Sequence, residues 1–190
     1  DDKYSDHLTK QCMEDLYQKF KTNVLITCSG TGPLLSAMNT VKKYNFLMLF
    51  PYSGVSAFRE PTATHFVNFR VSYDMELTVL VNHACFNLGI KRFAVLYEDS
   101  DFGRTLLRTV KEKVAAFKVS DILPISYRQN SLTHRNAVQQ ISDFHPGGMF
   151  LFINQYQTEA LIRSMNLDIL NGVSLFGTSM LPIDVSIFLS

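Results

Sequence analysis

The chain has no long apolar stretch, no excess of one charge and no cysteine framework, and each absence removes a class of function. Its longest hydrophobic runs, such as Asn45-Phe-Leu-Met-Leu-Phe50, fall far short of the roughly 20 residues of a membrane span. Lys plus Arg number 18 and Asp plus Glu 17, a net charge of +1. So balanced a chain has no long-range field to hold nucleic acid or an anionic membrane as its main task. The three cysteines, Cys12, Cys28 and Cys85, are too few for a disulfide scaffold, and none forms a Cys-x-x-Cys pair. Buried free thiols and a single bridge are the alternatives. His7, His65, His83, His134 and His145 show no zinc-ligand spacing. Neither a Gly-x-Ser-x-Gly elbow nor a phosphate loop is present. The reading is of a chain with no catalytic group, no metal and no cofactor, and so not an enzyme. Asp1-Asp2-Lys3-Tyr4 carries no signal-peptide pattern and reads as the start of a processed form or of a piece of something longer.

What is present is enough to build a core. Of 190 residues, 46% are hydrophobic and 18% charged, which suits one large domain or two small α/β lobes. A strand followed by a helix recurs along the chain. Leu8, Cys12, Leu16 and Phe20 mark a first helix face. Asn23 to Thr27 is an apolar run without alternation, the pattern of a strand covered on both faces. Strands are then predicted at 45–50 and 66–70, with a helix from Tyr73 to Leu88 that Gly89 stops. Beyond it come strands at 92–97, 122–127, 149–153 and 173–177, and helices at 101–117, 135–144 and 157–166. This alternation with short connections predicts parallel sheets with helices on both faces, either two Rossmann-like lobes with a boundary near Leu88–Arg92 or a single doubly wound sheet.

In open parallel sheets a ligand sits beyond the carboxyl ends of the strands. That rule selects loops in which Ser29, Thr31, Ser53 and Ser179 offer hydroxyls and Tyr52, Phe102 and Tyr156 offer flat apolar surface. Such a lining suits a small polar molecule. Ser29-Gly-Thr-Gly32 before Pro33 reads either as a tight capped turn or as a helix N-terminus favouring a carboxylate. Glu98, Asp99 and Asp101 read as the solvated cap of the next helix rather than a cation site. A flavodoxin-like α/β enzyme is the rival class, and it requires a nucleophile or phosphate loop at a strand end.

A family resemblance is carried by Cys28-Ser-Gly-Thr-Gly-Pro33, Leu49-Phe-Pro-Tyr-Ser-Gly54, Phe58-Arg-Glu-Pro61, and Phe66-Val-Asn-Phe-Arg-Val-Ser-Tyr73 with Glu76. Lys91 to Asp99 and Phe102-Gly-Arg104 extend it. The chain resembles type I periplasmic binding proteins of the branched-chain amino-acid receptor type. The resemblance implies an incomplete two-lobed fold, residues 1–89 being part of the first lobe and 90–190 most of the second, closing on a ligand like a clam. It implies ligand contacts at Ser29, Thr31, Tyr52, Ser53, Gly54, Phe102 and Tyr156. Ser179 stands where amino-acid-binding members carry an acid, so an amide- or carboxylate-bearing ligand is expected in place of an α-amino acid. An extracytoplasmic location follows, with delivery to a membrane transporter or fusion to a membrane receptor such as a receptor cyclase. A first lobe without its first strand would be either marginal alone or completed by a second copy, as a homodimer through that lobe.

Overall fold

The computed structural model describes residues 1–128, 134–165, 167–179 and 181. It divides into two compact units, Asp1–Met75 and Glu76–Ser190.

The first unit opens with α1 (Asp6–Phe20), whose N-cap Ser5 accepts a hydrogen bond from the Leu8 amide and whose end turns through Lys21 at φ 54°. Then follow β1 (Val24–Ile26), α2 (Thr31–Ser36), α3 (Met38–Lys43), β2 (Leu47–Leu49) and β3 (Phe66–Val67). The three strands are parallel in the order β1-β2-β3, with Val24 opposite Leu47 and Met48 opposite Phe66. Because side chains alternate along a strand, Leu25, Met48 and Phe66 turn to one face. There they join Met13, Leu34, Val41, Phe46 and Phe58 in the core. The opposite set, Val24, Ile26, Leu47 and Val67, is exposed, Ile26 at 65%. The expectation that residues 23–27 form a strand covered on both faces is therefore corrected. An unbroken apolar run shows that both faces could be buried, not that a second layer is there, and none of the described residues covers this one.

Helix α4 (Tyr73–Asn82) carries the division between the units and continues as a π-helical turn, His83–Asn87, before Gly89 at φ +66°. The stop at Gly89 is as expected, since a left-handed residue there costs glycine nothing. The second unit then builds β4 (Arg92–Glu98), α5 (Asp101–Ala115), β5 (Asp121–Tyr127), α6 (Arg135–Phe144), β6 (Gly148–Phe152), α7 (Gln155–Ser164), α8 (Leu167–Leu170) and β7 (Ser174–Phe176). The short helix α8 has no counterpart in the sequence reading, and Asn166, the expected end of α7, lies outside the described residues. All four strands are parallel, in the order β5-β4-β6-β7. Pro124, which cannot donate to a ladder, sits on the edge strand β5. Alternation splits the sheet cleanly. Ala94, Leu96, Met149 and Leu151 join Ile141 and Leu161 in one cluster. Phe93, Phe150, Phe152 and Phe176 meet ring to ring. Here both faces are covered, and β6 is buried throughout.

His134, 5% exposed, places Nδ1 3.3 Å from the Tyr127 hydroxyl. Burial lowers the pKa of His134 from its ordinary 6.5 and raises that of Tyr127 to about 12. The unfolded chain thus takes up the His134 proton more readily than the folded one. Stability is full above about pH 6.5 and falls as pH drops through the lower, folded-state value. Urea midpoints measured from pH 8 to pH 5 are expected to fall, and His134→Phe should flatten that slope. An unchanged slope in the variant would assign the acid sensitivity to other groups.

Candidate functional site

In the first unit three loops leave the carboxyl ends of adjacent strands. Ser29 after β1 and Tyr52 after β2 extend the parallel pairing as an isolated bridge, the Tyr52 amide donating to the Cys28 carbonyl at 2.8 Å. Both are exposed, Tyr52 at 45%. Thr31 and Ser53, predicted beside them, are buried, and their hydroxyls lie 2.8 Å apart on each other. They clasp the first loop to the second and point no hydroxyl at solvent. Gly54 lies against Tyr73: a Cβ there would sit 2.7 Å from the ring, and the Tyr73 amide donates to its carbonyl at 2.8 Å. Gly54 is thus explained by close packing on an aromatic ring. Helix α2 runs for only six residues with no side-chain cap, so the loop before it has little helix dipole to offer an anion.

Two arginines complete this edge. Arg59 donates through Nη1 to the Val55 carbonyl at 2.9 Å, and through Nη2 to the carbonyls of Ser53 at 3.1 Å and Arg70 at 2.8 Å. It ties the loop after β2 to the loop after β3. The Arg70 guanidinium carbon sits 4.2 Å from the Tyr52 ring centroid, within cation–π range. Arg70 stands in the motif that carries the family resemblance, yet spacing alone did not mark it as a site residue. An arginine closing an apolar strand run just short of the next helix was the available signal.

In the second unit the loops after β4, β6 and β7 leave neighbouring strands, since β4 pairs with β6 and β6 with β7. Phe102 lies half-buried in the first turn of α5, Tyr156 is 80% exposed in the first turn of α7, and Ser179 is exposed just past β7. Asn154 caps α7 by accepting from the Gln157 amide at 2.9 Å. The Ser179 hydroxyl and amide both donate to the Glu76 carboxylate, at 2.5 and 2.7 Å. The negative charge that Ser179 lacks is therefore supplied from α4. That is a contact no local pattern reveals. Ser100, not an acid, caps α5, accepting from the Gly103 amide at 3.1 Å. Asp99 and Asp101 pair with Arg104, and burial raises the Glu98 pKa.

The three cysteines are free thiols. Among the described residues, no group of three His, Cys, Asp or Glu side chains could hold a metal ion, and no helix is long and apolar enough to cross a membrane. Two surface cavities of about 280 and 300 Å³ lie in the second unit, one beside His145 and Asn171, the other along β5 and α6. None of the predicted site residues lines either.

The fold is that of known binding proteins. A substrate-binding periplasmic protein from Ralstonia solanacearum superposes with a TM-score of 0.81 at 20% identity, over 98% of this chain and 52% of its own. A solute-binding protein of an ABC transporter from R. palustris, solved with benzoate, gives 0.82 at 16% identity, over 97% and 51%. A leucine-binding protein from Thermotoga maritima gives 0.73 at 16% identity, over 85% and 46%. The chain thus spans about half the length of these relatives. No curated protein matches it. Residues 1–185 match the family model described as periplasmic binding protein, and the chain belongs to that family.

Proposed function

We propose that this chain is the ligand-binding region of an extracytoplasmic receptor for a small polar molecule bearing a carboxylate or amide, passed on to a membrane transporter. Its lobes would be residues 1–89 and 90–190. The observation that carries the reading is the family match over residues 1–185. Relatives of the same fold are solved with benzoate and with 3,4-dihydroxybenzoic acid, both carboxylates. The carboxyl-edge loops support it with exposed polar and aromatic side chains at Ser29, Tyr52, Tyr156 and Ser179. The family matched is one of binding proteins, and this supports binding as the event.

A thermal-shift screen of the full-length protein against acids, amides, amino acids and sugars tests this. A ligand at about 100 times its dissociation constant stabilises by about 2.7 kcal/mol, which a melting curve resolves. A carboxylate or amide that raises the midpoint is expected. A protein that answers to no compound of these classes, or that turns one over, would overturn the reading.

A further inference from the structure

We infer that the outward face of α4 and of the π-helical turn that continues it is a pairing surface for a second copy of this chain. The two helices run antiparallel about a two-fold axis between Asn82 and His83. This stands apart from the ligand-binding reading. Leu77, Val81, Ala84 and Cys85 are buried along one side of the helix. On the other side Val79, Phe86 and Leu88 are exposed, at 67%, 80% and 47%. Asn82, His83 and Asn87 lie exposed among them, since residues three and four apart share a helix face. From Leu77 to Ile90 the chain has no Asp, Glu, Lys or Arg. A helix that covers a core normally turns charge to water, as α5 does with Arg104, Arg108, Lys111 and Glu112. The π-helical turn His83–Asn87, a rare form frequent at functional sites, falls inside this uncharged stretch.

Composition and charge choose the occupant. The outer face of the first sheet, Val24, Ile26, Leu47 and Val67, is aliphatic throughout, like the inside of a domain. The α4 face instead mixes aliphatic, aromatic and amide side chains without charge, the make-up of the centre of a subunit interface. About a two-fold axis the same patch meets itself, so a charge near the axis would face its own copy. This centre holds no Asp, Glu, Lys or Arg. Val79 lies as far before it as Phe86 lies after it, so each Val79 meets the Phe86 of the second copy. Asn82 meets His83 in the same way, amide against imidazole. Charge frames the face at its ends, with Glu76 before it and Lys91 after it. Antiparallel pairing lays the acidic end of one helix beside the basic end of the other and opposes the helix dipoles. Parallel pairing would lay like beside like. About three turns of helix offer less than the roughly 800 Å² per partner of a standard interface, so the dimer is a weak one, with a dissociation constant in the micromolar range.

Sedimentation velocity of the full-length protein over a concentration series tests this. Wild type is expected to pass from monomer to dimer in the micromolar range. Phe86→Glu and Val79→Lys, each made alone, should weaken the dimer about tenfold or more, because each buries an unpaired charge on pairing. Their melting points should stay at the wild-type value, since both side chains are exposed in the single chain, and this shows that the variants fold. The double variant carrying both changes is the decisive arm. Antiparallel pairing sets each new glutamate beside a new lysine of the other copy, so the dimer should return to within about threefold of wild type. A wild type that stays monomeric at millimolar concentration overturns the inference. So does a dimer that neither single change weakens, which would use another surface, and so does a double variant no better than the singles. A monomeric wild type whose melting point falls in Phe86→Glu would mean that the same chain covers this face, and overturns it too.

Discussion

Gly103→Ala is expected to cost about 3 kcal/mol, the upper end of what overpacking does. A Cβ at Gly103 would collide with the Glu98 carbonyl oxygen and lie 3.0 Å from its carbon and 3.1 Å from its nitrogen. Those atoms cannot step aside. Glu98 is the last residue of β4, paired with Tyr127 of β5. Its carbonyl also accepts from the Ser100 amide at 2.8 Å, and the next amide, Asp99, donates to the Tyr127 carbonyl at 2.6 Å. The alanine must therefore push α5 away from β4, carrying Phe102 with it. Gly89→Ala supplies the contrast. Gly89 has φ +66° and nothing within 4 Å of a built Cβ, so only the backbone strain of about 1 kcal/mol is expected. Denaturant midpoints of the two variants give the comparison. A Gly103→Ala loss no larger than that of Gly89→Ala would mean that α5 does not start so close to β4.

The second large effect lies in the aromatic layer of the four-stranded sheet. Phe150 is fully buried on β6, with the rings of Phe93, Phe152 and Phe176 at 5.5, 5.9 and 5.1 Å between centroids. Truncation to alanine removes the transfer term and leaves a cavity bounded by strands that cannot close on it, a loss of about 3–5 kcal/mol. For a chain of this size that lowers the melting temperature by about 10 °C. Phe150→Leu should keep most of the volume and lose less than about 1.5 kcal/mol. Phe69→Ala tests the other extreme: at 83% exposure just past β3, it should stay within about 0.5 kcal/mol. Calorimetry of the three variants decides. A Phe150→Ala melting point near that of the parent would deny the layer its place in the core.

Much of the architecture was legible because it is written in local periods. The apolar spacing of Leu106, Val110 and Val114 predicts α5, and these are the side chains the helix buries. Met149 to Ile153, apolar throughout, predicts a strand, and β6 (Gly148–Phe152) forms there with every residue buried. Asn23 to Thr27 predicts a strand covered on both faces; β1 forms there, but its outer face has no covering layer among the described residues. The candidate loops were legible as a set, because each parallel sheet sends its carboxyl ends to one side whatever the details of packing. Which side chains point outward from those loops was not.

The amino-acid sequence by itself determined the alternation of strand and helix, the parallel sheets, the family and the strand ends where a ligand could meet the chain. All of these depend on patterns a few residues long or on short motifs in order. Tertiary structure alone decided the use of each polar group. Thr31 bonds Ser53 rather than solvent, Arg70 lies on Tyr52, and Glu76 carries its charge to Ser179. A hydroxyl or a charge can bond in many directions, and its partner is chosen by which distant loop the sheet register brings within 3 Å.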